Sequence, residues 1–340
     1  MSNYRFNNRA TYMRSICLFL GIISFLTTFP QQRPHELIVG DPVPILPLDK
    51  WMKGGPLDIY DRERVYLVDF WAVWCGPCIS GMENLSRLQQ KYKKNGLEVM
   101  SVTSEDAWGN TYQKVVDFIQ NKGEKFAYNF AWLPDSYSDD RKYKSIIYNP
   151  WLKQAYDSSS WALPQVFLID RSGKIAFIGD GYSLDEKFLE SVLKNNYDLN
   201  ESRSKYLDKI RLENETNHLF ELLDNKQFAD AKLLATQLIA DPNVSSHTLL
   251  LVCDNFFNKY SSQIDESFLR LGVDAAKKGV AITESKSPSH LSILAKGYSL
   301  INEPEKAVST IKLAISLSEG EFKEALEKDQ RKYEEMVSKK

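Results

Sequence analysis

Cysteine is scarce, with four residues in a chain of 340. That excludes a disulfide-stapled scaffold. Histidine is equally scarce. His35, His218, His247 and His290 lie far in sequence from the one close cysteine pair, so a four-ligand zinc site has no ready set of donors. No charge of one sign dominates. Lys+Arg is 43 against Asp+Glu 45, a net charge of −2, which argues against a broad phosphate-binding surface and against nucleic acid as a partner. No dinucleotide or flavin fingerprint is found, and no apolar run reaches the roughly 20 residues of a comfortable membrane span. What the chain does have is 43% hydrophobic and 12% aromatic residues, enough to bury a core and to exclude wholesale disorder. The length exceeds one domain of about 100–200 residues and suggests two.

The first 35 residues belong to neither domain. Arg5, Arg9 and Arg14 come without an acidic residue and precede the apolar run 15–29, which ends at Pro30. A basic segment followed by a short apolar one reads as a secretory signal or a short N-terminal anchor. Both readings stay open, because no Ala-x-Ala cleavage site follows and there is no twin-Arg pair. Either one places the bulk of the chain outside the cytoplasm. Cys17, at the front of the run, is incidental.

From Gly40 short apolar runs alternate with turn residues. The run 65–71 predicts a buried strand, and 80–95 a helix with Met82, Leu85, Leu88 and Tyr92 on one face. Asn95 and Gly96 stop it. Strand 97–103, helix 112–121, an extended piece 126–132 and strand 165–169 follow. A turn at 170–173 leads to a hairpin partner at 174–178, and a closing helix 183–195 has Ser183 as its cap. This alternation predicts a mixed-sheet α/β domain. After about Asn200 strand signals vanish, and breaks at Asp224, Pro242, Pro288 and Pro304 mark off helix pairs.

The chemistry lies at Cys75 and Cys78. Two cysteines separated by two residues can close a small ring or hold a metal. These follow a buried strand and open a helix, whose free N–H groups and partial positive charge favour a thiolate. Cys75, at the exposed end, becomes the nucleophile. Cys78, one turn further in, is placed to resolve the mixed disulfide. An inert structural disulfide and a zinc site are the competing readings. Asp69 is a carboxylate in the middle of an apolar strand, where burial raises its pKa and suits it to proton transfer with Cys78.

Trp74, Cys75, Gly76, Pro77 and Cys78, after Val68, Asp69, Phe70, Trp71 and Ala72, resemble the thioredoxin superfamily, and the likeness runs from Gly40 to Asn195. Gly40, Asp41, Pro42, Val43 and Pro44, the stretch 96–100, and 163–170 with Gly173, Lys174 and Ile175 resemble the TlpA/ResA branch of secreted, often membrane-anchored thiol–disulfide oxidoreductases. The resemblance implies a thioredoxin fold over 38–197, with Trp74, Gly76 and Pro77 shaping the active site. It also implies a cis-proline at Pro164 that turns the Leu163 backbone toward a bound substrate chain. Asp69 takes the thioredoxin proton-relay role. Many ResA-like proteins have Asn there and a Glu three residues after the second cysteine, where this chain has Gly81. The segment 134–161 is longer than the family version. It is either a solvated insertion or a rim that selects the partner.

Residues 200–340 resemble tetratricopeptide-like helical repeats. Leu291, Leu294, Ala295, Tyr298, Ala307, Ile311 and Ala314 carry the best unit; Leu222, Ala231 and Pro242 mark a weaker one. The tail after Glu321 suits a solvated capping helix. Cys253 reads as a small apolar core residue and His247 as a surface residue at a helix start.

The sequence thus predicts an exported protein disulfide reductase of the periplasm or cell envelope, tethered to the inner membrane if the N-terminal segment is kept. It needs no cofactor or metal beyond its own redox-active pair. Its partners are protein disulfides, an upstream dithiol electron donor, and a protein on the helical repeats. Gly76 and Pro77 between the cysteines resemble the reducing branch. Two rival readings remain, a protein-binding adaptor working through the helices and a thiol peroxidase on the same fold.

Overall fold

A run as apolar as that from Val65 must be covered on both faces, and its position follows from that need. The computed structural model describes residues 37–44, 46, 48, 50–57, 61–106, 108–133, 163–181 and 184–339, all within one unit, 36–340. The elements in chain order are β1 (Lys50–Lys53), β2 (Val65–Phe70), α1 (Gly76–Tyr92), β3 (Leu97–Thr103), α2 (Tyr112–Lys122), β4 (Asn129–Trp132), β5 (Gln165–Ile169), β6 (Ile175–Gly179) and α3 (Glu186–Leu193). The sheet order is β1-β4-β3-β2-β5-β6, with β2, β3 and β4 mutually parallel and the outer pairings antiparallel. This mixed sheet flanked by helices is the thioredoxin fold.

Every residue of β2 is buried, and successive side chains take opposite faces. Val65, Leu67 and Trp71 share one core with Met82, Leu85 and Leu88 of α1 and Leu189 and Val192 of α3. Tyr66, Val68 and Phe70 share the other with Leu37, Val39, Val43 and Ile175.

That second core is completed by Tyr206, which stands on α4 (Leu199–Asp224). Asp198 caps α4, its carboxylate accepting from the N–H groups of Asn200 and Glu201. The later turns of α4 place Leu212, Leu219 and Leu223 in a separate, all-helical core. One helix therefore packs on the sheet at its start and opens the helical region at its end. That region continues through α5 (Phe228–Ala240), α6 (Ser246–Asp254), α7 (Glu266–Ile282), α8 (Pro288–Leu300), α9 (Pro304–Ser316) and α10 (Gly320–Ser338). Leu291, Ala295, Ala307, Ile311 and Ala314 pack α8 on α9 together with Leu326 and Tyr333, the buried residues of α10. The rest of α10 is largely polar and faces outward.

Some boundaries differ from the sequence expectation. Helix α1 begins at Gly76, not residue 80, because Cys75 caps it and Pro77 fits its first turn. It ends at Tyr92, and a tighter turn leads to Gly96 at φ +92°. Only Asn129–Trp132 of the extended piece joins the sheet. Asp185 caps α3, its carboxylate accepting from the Lys187 N–H; Ser183, the expected cap, lies outside the described residues. Strand β1 was not anticipated, since four residues ending in Lys at both sides give no alternation to read. The segment 1–35 with Cys17, and the insertion 134–161, also lie outside the described residues. Among the described residues no helix is long and apolar enough to cross a membrane.

Candidate active site

The site stands at the carboxyl ends of β2 and β3, where open α/β sheets gather their functional loops. The chain leaves β2 with two anchors to β3. The Trp71 N–H donates to the Val102 carbonyl at 3.2 Å, and the Thr103 hydroxyl donates to the Trp71 carbonyl at 2.6 Å. The Cys75 N–H then donates to the Ala72 carbonyl at 3.0 Å, closing the turn into α1.

Cys75 and Cys78 are joined as a disulfide, with their Cα atoms 5.3 Å apart. Cys75 caps α1, its sulfur accepting from the Cys78 N–H at 3.2 Å. The first turn carries no acidic residue, so the positive end of the helix is unopposed at the sulfurs. The expected exposure of Cys75 needs correction. It is only 4% exposed, and Cys78 2%. Capping turns the Cys75 sulfur inward, and Gly76 and Pro77 form the exposed surface of the motif.

Trp74 is half-buried, and its indole N–H donates to Asp106 Oδ2 at 2.6 Å. Asp106 Oδ1 accepts from the Trp108 and Asn110 N–H groups, each at 2.9 Å. Trp108 meets Trp74 edge to face, with ring centroids 6.0 Å apart. Asn110, fully buried, accepts from the Val73 N–H and donates to the Thr103 hydroxyl and the Ser104 carbonyl. Two polar side chains of the loop after β3 thus hold both residues that precede Cys75. Asp106 and Asn110 belong to no motif in the sequence. The available signal was a pair of polar residues directly after a buried strand.

The Leu163–Pro164 peptide bond is cis. Leu163 packs against the apolar cluster that contains Cys75 and Cys78, and against the core on the other face of the sheet. Trp71 is 1% exposed and packs on Phe118 and Phe130.

Asp69 is 2% exposed. It alternates with Leu67 and Trp71 and so shares the face that carries Cys75 and Cys78. Burial pushes its pKa up to about 7, opposed by the Ser101 hydroxyl, which donates to Oδ2 at 2.7 Å. A carboxyl that changes protonation near neutrality, on the face of a two-cysteine pair, is equipped for thiol proton transfer. Among the described residues no group of three or more His, Cys, Asp or Glu side chains converges as a metal site requires. Cys253 is buried away from the site, in the helical core, and His247 is exposed.

Residues 38–193 match the Redoxin family. The chain is similar to protein FixW of Rhizobium leguminosarum, 26% identical over 169 residues, covering 48% of this chain and 69% of that protein. It is similar to the thiol-disulfide oxidoreductase ResA of Bacillus thuringiensis (strain Al Hakam), 25% identical over 104 residues. That match covers 28% of this chain and 60% of ResA, less than two thirds of its length. It is also similar to the thiol:disulfide interchange protein HelX of Rhodobacter capsulatus, 27% identical over 157 residues, covering 46% of this chain and 74% of HelX. A thioredoxin-fold sheet with a two-cysteine pair capping its first helix, and relatives of this kind, define the class as thiol–disulfide oxidoreductase. Within it, residues 38–193 are TlpA/ResA-like, by their Redoxin match and their similarity to ResA and HelX.

Proposed function

We propose that the protein is an extracytoplasmic protein disulfide reductase. The observation that carries this reading is the Cys75–Cys78 disulfide at the N-terminus of α1. In the reduced protein the Cys75 thiolate attacks one sulfur of a substrate disulfide. That S–S bond breaks, a mixed disulfide forms, and the first substrate sulfur leaves as a thiolate. Cys78 passes its proton to Asp69 and attacks Cys75. The second substrate thiolate leaves, and Cys75–Cys78 closes. The substrate gains two electrons and the pair loses two; an upstream dithiol protein returns them by the reverse exchange.

Trp74, Gly76 and Pro77 shape the approach, and Leu163 and Pro164 present backbone to the substrate chain. The redox pair works without a metal or an organic cofactor. The catalytic domain spans 38–197. Residues 200–340 form a tetratricopeptide-like domain that binds a protein partner, and 1–35 export the chain to the periplasm or envelope or tether it to the inner membrane. The basic flank and short apolar run support the export reading.

The test is dithiol-driven reduction of insulin. Wild type reduces it, Cys75→Ser does not, and Cys78→Ser accumulates a mixed disulfide through Cys75. A wild-type protein that leaves insulin disulfides intact but binds a protein through the helical region is an adaptor. One that consumes peroxide instead is a thiol peroxidase.

A further inference from the structure

The carboxyl of Asp69 makes a single hydrogen bond among the described residues, and its donor is a neutral hydroxyl. Asp69 and Ser101 are in-register partners on β2 and β3, and Ser101 Oγ donates to Asp69 Oδ2 at 2.7 Å. Both side chains are buried, Ser101 completely. Among the described residues no Lys or Arg pairs with the carboxyl. A cation in place of Ser101 would favour the ionised carboxyl more strongly, whereas a hydroxyl stabilises the anion less and leaves the proton exchangeable near neutral pH.

A third group stands behind this pair. Tyr128, 3% exposed, packs in the same apolar cluster as the two cysteines, and its phenol oxygen is buried without a hydrogen-bond partner. Burial and then the Asp69 charge push the phenol up, and the Ser101 hydroxyl opposes them. The three groups therefore act on one another, although no hydrogen bond closes onto Tyr128 in this state. A buried polar atom left open beside a titrating pair is costly unless another state uses it. While Ser101 donates to Asp69, its lone pairs remain open to the Tyr128 O–H.

We infer that Ser101 is a positioning residue for disulfide exchange: with Tyr128 behind it, its hydroxyl sets the pH at which Asp69 accepts the Cys78 proton. This rests on the relay role of Asp69. Beside the carboxyl stand its partners in register, Ser101 on β3 and apolar Val166 on β5; Tyr128, before β4, and the Cys75–Cys78 pair at the start of α1 belong to the apolar cluster on the same face of β2.

The experiment is a carboxyl-carbon NMR titration of Asp69 in the oxidised full-length protein, run beside the pH profile of mixed-disulfide resolution. In Ser101→Ala both midpoints rise by roughly 1–2 pH units, the shift expected when a hydrogen bond to a charged group is lost. Ser101→Thr keeps the hydroxyl and returns both toward wild type. Tyr128→Phe, which removes one oxygen, moves both midpoints up by a smaller amount and carries the test if Ser101→Ala does not fold. An Asp69 midpoint unchanged in Ser101→Ala or Tyr128→Phe overturns the role of that residue. A midpoint that moves while the resolution profile stays fixed overturns the coupling to Cys78. A wild-type protein unable to reduce disulfides fails the functional reading alone, since the carboxyl titration does not depend on turnover.

Discussion

The indole N–H of Trp74 and the carboxylate of Asp106 are bound at 2.6 Å across 32 residues of sequence. This bond ties the residue before Cys75 to the loop that follows the neighbouring strand. Asp106 holds two further backbone N–H groups, so one carboxylate fixes the rim beside the disulfide and its own loop together.

Asp106→Ala should therefore cost more than an ordinary surface change. It leaves the Trp74 N–H and two backbone donors without their acceptor, and the loss should be about 2–3 kcal/mol in urea unfolding. Asp106→Asn keeps an acceptor for Trp74 and should lose less than half of that. Insulin reduction by the Ala variant, measured where it is still folded, should fall about tenfold as the approach to Cys75 loosens. Full activity with full stability in Asp106→Ala would refute this.

Asp69 makes stability depend on pH in a definite direction. Its pKa is about 7 in the folded protein against 3.8 for an ordinary carboxyl, so the folded state holds this proton more tightly than the unfolded state. The stabilisation from the neutral, buried acid is complete below about pH 4 and is lost as pH rises through about 7, by on the order of 4 kcal/mol in all. Asp69→Asn removes the titration and keeps an acceptor for Ser101. Its stability minus that of wild type should thus grow from about pH 4 to about pH 8. The same variant should flatten the pH–rate profile of disulfide reduction in that range. An unchanged profile would remove Asp69 from the proton path.

What could be read from the sequence was whatever repeats or sits next to its partner. Strands β2, β3 and β5 were legible because unbroken apolar runs must be buried on both faces. The two cysteines were legible because they are three residues apart and open a helix. Asp106, Asn110, Ser101 and Tyr128 were not, because each acts on a residue far away in the chain. Val73 and Asn110 are 37 apart, and Asp69 and Ser101 are 32 apart. A lone polar residue at a strand end reads as a loop until the neighbouring strand is known. The buried position of Cys75 is hidden from the sequence for a related reason, since capping turns its sulfur inward and a sequence does not show that turn.

Cys253 separates a structural thiol from the redox pair. It is fully buried, its S–H donates to the Gly272 carbonyl at 3.3 Å, and burial pushes its pKa well above the usual thiol value. A thiolate is therefore not formed there at neutral pH. In the reduced, folded protein iodoacetamide should label Cys75 and spare Cys253, as read by peptide mass spectrometry. Cys253→Ala should leave insulin reduction unchanged and cost about 1 kcal/mol of stability. Labelling of Cys253 before unfolding would overturn this.

The helical core turns on one aromatic ring. A widened turn at Asn255–Lys259, where the Tyr260 N–H reaches back to the Asn255 carbonyl at 3.0 Å, buries two consecutive phenylalanines, Phe256 and Phe257. A regular helix separates neighbours by about 100° and would tend to expose one of them. Phe257 fits because Gly272 on α7 and Gly297 on α8 leave room. A Cβ at Gly297 would lie 2.7 Å from the Phe257 ring and 2.9 Å from Val273, and one at Gly272 would lie 2.7 Å from the same ring. Helix propensity alone favours Gly297→Ala by about 1 kcal/mol. Overpacking opposes it by about 1–3 kcal/mol and should win, because the ring is held from both sides and cannot withdraw. Phe257→Leu frees that space, so Gly297→Ala should cost measurably less in the Phe257→Leu background. The double-mutant cycle in urea should give a coupling of at least about 1 kcal/mol. Additive effects would mean that the two glycines are not what admits the ring.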